Sequence, residues 1–61
     1  MLEVTVTDGT VDISEDGVKV GSIFIGILKP EDVEIVGHEI FVHNGALTTV
    51  YSPEGYQRRT Q

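Results

Sequence analysis

The chain has no cysteine and no tryptophan, one alanine, two prolines and only four basic residues among 61. Without cysteine there is neither a disulfide framework nor a thiolate zinc site to prop up a small fold. Alanine occurs only at Ala46 and leucine only at positions 2, 28 and 47, so the strongest helix formers are scarce. Four basic against ten acidic side chains give a formal charge of −6, which argues against direct binding of nucleic acid or an anionic membrane. The longest apolar stretch, Ile23 to Leu28, is interrupted by Gly26 and falls far short of a bilayer-spanning helix. Met1-Leu2-Glu3-Val4 lacks the basic region of a signal or transit peptide, so the expected location is cytoplasmic. At this length one domain is the upper limit, and such a chain buries only about 60% of its unfolded surface.

The residues that are plentiful favour strands. Val and Ile together number fifteen and Thr adds six. Branching at Cβ stiffens χ1 and suits a pleated surface. Glycines at 9, 17, 21, 26, 37, 45 and 55 punctuate short apolar runs, which is the spacing of an all-β chain. Val4 to Thr7 and Thr10 to Ile13 alternate on either side of Asp8-Gly9, a pair that supplies a two-residue type I′ turn. The implied register sets Val4 against Ile13 and Val6 against Val11, all on one face, with Glu3, Thr5, Thr7 and Asp12 on the other.

Asp16-Gly17 makes a second turn into Val18-Lys19-Val20, which places Val20 opposite Ile13 and adds Val18 and Val20 to the apolar face. Ile23, Ile25 and Ile27 then fall out of phase, and a β-bulge at Gly21 restores them. The expectation is one long bent strand over 18–28, with Phe24 and Leu28 on its other face. Lys29-Pro30-Glu31-Asp32 stops it, and Pro followed by two acids suits at most one helical turn near 30–33. Val33 to Val36 is a short strand. A last hairpin about Asn44-Gly45 pairs Val42 with Leu47 and Ile40 with Thr49, with Phe41 and Val50 on the reverse face. Altogether the sequence predicts a small antiparallel meander or partly open barrel of five to six short strands over residues 1–52. Residues 53–61 read as a flexible polar tail.

Motifs that would name a reaction are missing. His38-Glu39-Ile40-Phe41-Val42-His43 resembles a zinc-binding HExxH run, but its histidines are five apart and on opposite faces of a strand. Glu15-Asp16 and Glu31-Asp32 sit in turns, where turn formation and helix starting account for them. Ser14, Ser22 and Ser52 lie in no nucleophile elbow. Gly21-Ser22-Ile23-Phe24-Ile25-Gly26 lacks the lysine of a phosphate loop, and its glycines suit a bulge and a close packing contact. No enzyme, metal site or cofactor is expected.

Two features point to binding. Residues 1–50 carry nine acids against two lysines, a net of −7, whereas residues 51–61 carry Glu54 against Arg58 and Arg59, a net of +1. Tyr56, Arg58 and Arg59 therefore form a mildly basic segment of the side chains that dominate interface hot spots. Phe24, Leu28 and Phe41 are surplus apolar surface on strands whose other face already supplies a core. The sequence thus predicts a non-enzymatic protein-interaction or assembly module that associates with itself or another protein. Phe24, Leu28, Phe41, Tyr56, Arg58 and Arg59 are its contact residues. The alternative is an acidic inhibitor or regulator that presents Glu3, Asp12, Glu15, Asp16, Glu31, Asp32, Glu34 and Glu39 to a basic, nucleic-acid-binding site on a partner.

Overall fold

A computed structural model describes residues 1–24, 26 and 30–61. Its seven strands are β1 (Leu2–Thr7), β2 (Thr10–Glu15), β3 (Val18–Phe24), β4 (Val33–Val36), β5 (Glu39–Asn44), β6 (Leu47–Tyr51) and β7 (Gln57–Thr60). A 3₁₀ turn at Pro30–Asp32 leads into β4, where the proline and paired acids predict a helical turn. The strands form two antiparallel meanders, β1-β2-β3 and β4-β5-β6-β7. The expected continuation of β3 through Ile25, Ile27 and Leu28 lies outside the described residues.

The first hairpin has the register that its turn dictates: Val4 opposite Ile13, Val6 opposite Val11 and Thr7 opposite Thr10. Asp8 and Gly9 both take positive φ, at 44° and 82°, and Asp16 and Gly17 repeat this at 53° and 85°. Those are the angles of type I′ turns, whose twist matches that of the strands they join. The bulge also forms, but one residue earlier than expected. Ser14 pairs with Lys19 and Ile13 with Gly21, so Val20 is the extra residue. Val20 is therefore half out of the ladder, and it and Val18 are exposed instead of joining the core. The bulge restores the phase downstream: Ile23 faces Val11 and is buried.

The hairpin between β5 and β6 differs from the expected register by two residues. Asn44 pairs with Leu47, Val42 with Thr49 and Ile40 with Tyr51. In the Asn44–Leu47 hairpin, Gly45 takes φ 64° while Asn44 and Ala46 stay negative, so Gly45-Ala46 makes the loop in the manner of a type II′ turn. A slip of two keeps every side chain on its expected face. Leu47 ends up beside the turn and half exposed, while Tyr51 moves against the core.

Both sheets turn one face inward to a shared core of Leu2, Val11, Ile13, Ile23, Val33, Ile40 and Val42, flanked by Val4, Val6, Ile35 and Tyr51. Fully burying a Val or Ile side chain contributes about 1.5–3 kcal/mol relative to leaving it in water, so these few residues dominate the stability. β1 runs close to β4 without pairing with it. On the far side the chain after β6 closes on β3. Ser52 is buried, and its carbonyl accepts from the Gly55 amide at 2.9 Å. Its own amide donates to the Tyr56 carbonyl at 2.8 Å, and its Oγ accepts from the Tyr56 amide at 3.2 Å. This tied turn lays Pro53, Glu54 and Gly55 directly on the β3 backbone at Gly21 and Ser22. Gly21 is thus a point of close packing, as expected, while the bulge expected at it falls on Val20.

The last residues correct the expectation of a polar tail. Gln57–Thr60 is a strand at the edge of the second sheet, with Thr60 opposite Thr49, Arg59 opposite Val50 and Gln57 opposite Tyr51. The ladder skips Arg58, which is bulged. No apolar alternation marks this strand; backbone pairing to β6 and an ionic contact made by its arginines hold it.

Candidate interaction surfaces

Among the predicted apolar contact residues that are described, Phe24 is the most exposed. It closes β3 opposite Thr10, on the outward face with Asp12 and Ser22, and is 85% exposed. Tyr56, 75% exposed, leaves the tied turn one residue after Gly55, which packs on Ser22. Val18 and Val20 add exposed apolar surface along the same edge strand. Leu28 lies outside the described residues.

The structure brings Phe41, Arg58 and Arg59 together elsewhere, on the outward face of the second sheet. One cross-strand row reads Glu34, Phe41, Val50, Arg59 across β4 to β7. Val50 is fully buried although it faces away from the shared core. It sits between partly buried Phe41 and the long stem of Arg59, in the reach of directly opposed side chains.

Both arginines close on one carboxylate. Arg59 makes a two-pronged contact with Glu39, donating from Nη1 to Oε2 at 2.8 Å and from Nη2 to Oε1 at 3.0 Å. Arg58 donates from Nη1 to Oε2 at 3.3 Å. Consecutive residues of a regular strand point to opposite faces. The bulge at Arg58 cancels that alternation and lets neighbouring guanidiniums share a partner. Hydrogen bonding from Arg59, then its charge and the contact with Arg58, outweighs desolvation and holds the Glu39 carboxyl below its ordinary range. The same contact raises Arg59.

A depressed carboxyl stabilises the fold above its unfolded pKa, about 4.3, and that contribution disappears as pH falls through the lower folded value. Parent and Glu39→Gln chains should therefore differ in urea midpoint at neutral pH. The difference should shrink as the pH drops below about 4. A gap that persists unchanged in acid would mean that the carboxylate charge is not what holds β7.

A second polar chain flanks Phe41. His43 Nε2 lies 2.9 Å from Glu34 Oε1 and Nδ1 lies 3.0 Å from Thr48 Oγ1. A carboxylate only accepts, so Nε2–H donates to Glu34, and in the neutral ring the Thr48 hydroxyl donates to Nδ1. Carboxylate, imidazole and hydroxyl are the parts of a nucleophile relay. Here they stand on an open strand surface, and their evident effect is to fix three side chains beside Phe41. His38, in the turn before β5, is exposed, and Glu39 is taken by the arginines. Among the described residues no three His, Asp or Glu side chains are grouped to hold a metal ion, and no helix is long and apolar enough to cross a membrane.

The predicted contact residues that are described therefore do not share one surface: Phe41, Arg58 and Arg59 gather on the outward face of the second sheet, and Phe24 lies on the outward face of the first. The convergence on Glu39 escaped sequence reasoning, because a one-residue phase change at Arg58 has no signature in Gln57-Arg58-Arg59-Thr60. No protein-family model matches the chain, and no curated protein or solved structure does either.

Proposed function

We propose that the chain is a non-enzymatic interaction module that assembles with further copies of itself through the apolar surface at the end of β3. The exposure of Phe24 carries this reading. A phenylalanine held in water on an ordered edge strand gives up the burial energy of a large aromatic ring, and a contact recovers it. Tyr56, which leaves the turn that packs on Ser22, is the other aromatic ring left exposed, and Tyr belongs to the side chains most enriched at interface centres. An acidic inhibitor that acts through rows of carboxylates is less well supported. Asp12, Asp16, Glu34 and Glu39 are each bound to a cation or to His43, which leaves fewer carboxylates to present together.

Phe24→Asp tests the reading. Sedimentation equilibrium of the parent chain should give a weight-average mass above that of one chain. The variant should lose mass at equal concentration while keeping its β-sheet circular dichroism and urea midpoint. A parent that stays monomeric throughout, or a variant as associated as the parent, would end this proposal.

A further inference from the structure

The outward face of the second sheet differs from the rest of the molecule in charge. The chain carries −6, yet on this face Glu34 and Glu39 are balanced by Arg58 and Arg59. Each copy keeps its net −6, but the charges of this face sum to zero, so the face itself adds no like-charge contact between copies.

The order of the side chains adds a second observation. The row Glu34, Phe41, Val50, Arg59 runs acid, aromatic, apolar, base from one sheet edge to the other. A two-fold axis parallel to the strands, between β5 and β6, reverses such a row. Glu34 of one copy then lies over Arg59 of the other, twice, with the two Phe41 rings beside the axis. Arg59 can accept this second carboxylate because its two bonds to Glu39 use only part of a guanidinium's fork of donors. Glu39 also fixes the fork in place, so little side-chain freedom is lost on contact. A surface that complements itself under a two-fold, apolar at the centre and charged at the rim, is an isologous interface.

We propose that this face forms a two-fold dimer between copies of the chain, with Glu34–Arg59 pairs closing both ends of a Phe41 centre. Its occupant, like that of the Phe24 surface, is a second copy, but it uses the opposite sheet and stands or falls separately. Four strands spaced about 4.8 Å apart and about five residues long offer only about 300 Å² per copy. That is below the roughly 800 Å² per partner of a standard interface, so the dimer is weak and exchanges rapidly.

Nuclear magnetic resonance of the full chain over a wide dilution series reads such an equilibrium. Amide shifts of Glu34, Phe41 and Arg59 should move together with concentration, and they should still do so in Phe24→Asp. Glu34→Arg sets two cations against each other at both ends and should weaken association at least tenfold, roughly. The charge-swapped chain Glu34→Arg with Arg59→Glu should recover to within about threefold of the parent. Should the swapped chain fail to fold, the shift map and the single Glu34→Arg variant decide the matter alone. Shifts that move only around Phe24 and Tyr56, shifts independent of concentration, or an unweakened Glu34→Arg chain would overturn the dimer without touching the Phe24 proposal. Loss of the Phe24 effect alone would do the reverse.

Discussion

Ile13→Ala should bring the chain to the edge of unfolding at room temperature. Ile13 is fully buried at the centre of β2, between Val4 on one neighbouring strand and Gly21 on the other. The glycine offers no side chain to collapse into the space an alanine leaves. Truncating a buried Ile costs about 2–5 kcal/mol, and a site that cannot relax lies at the upper end. The whole chain has about 3–9 kcal/mol to lose by the usual per-residue stability, and its size puts it in the lower half of that range. Urea unfolding followed by circular dichroism should therefore show a midpoint at least halved. Val18→Ala, on an exposed side chain of the same sheet, should move stability by no more than about 0.5 kcal/mol. Equal effects from the two substitutions would mean that the shared core does not carry the fold.

The second large effect comes from the smallest substitution. In Gly21→Ala the new Cβ would stand 2.5 Å from the Glu54 carbonyl oxygen and 2.7 Å from that of Pro53. Both obstacles are backbone, tied by the Ser52–Tyr56 hydrogen bonds, so no side chain can swing aside. Either the turn lifts off β3 or the strand moves, and overpacking against unyielding atoms costs about 3 kcal/mol, the upper end of the usual range. For a domain of this size that corresponds to a fall in Tm of about 15 °C or more. Gly17→Ala makes the informative contrast. Nothing lies within 4 Å of its Cβ position, and only its φ of +85° resists a side chain. That conformational cost is about 1–2 kcal/mol. If Gly17→Ala proved the more damaging of the two, the close approach of β3 and the final turn would be refuted.

Much of the fold is legible because local signals agree with one another. Asp8-Gly9 fixes a register, and the alternation on both sides fits it, so Val4, Val6, Val11 and Ile13 could be assigned a face from the sequence alone. The bulge before Ile23 was legible as a phase change, but its position was not: Val20 and Gly21 both satisfy the count, and packing of the final turn on Gly21 decides between them. The Asn44-Gly45 register failed for a related reason. A glycine serves equally as the second residue of one turn type or the first of another, and Tyr51 reaches the core only in the latter. Strand β7 was illegible because its stability is not in its own residues; Gln57 to Thr60 is polar throughout and takes its place from β6 and Glu39. Of the candidate contact residues, the outward face of Phe24 followed from strand parity, whereas Tyr56 was expected in a polar tail and instead leaves an ordered turn. The grouping of Phe41 with Arg58 and Arg59 required knowing that residues nineteen or twenty apart share a carboxylate.

Among the described residues every hydrogen-bonded strand pair joins neighbours along the chain. Each sheet can thus zip up from its own tight turns, with little loop entropy lost, and the search for partners is short. Each sheet alone leaves its apolar face in water, however, and that face is covered only when the other sheet docks on it. The slow event is then the meeting of the two preformed sheets. Residues on that seam, Ile23 against the core and Gly21 against the final turn, should govern the folding rate, while the Asp-Gly turns set how fast the pieces are ready. Such a chain is expected to refold rapidly for an all-β protein, faster than sandwiches whose strands pair across long stretches of sequence.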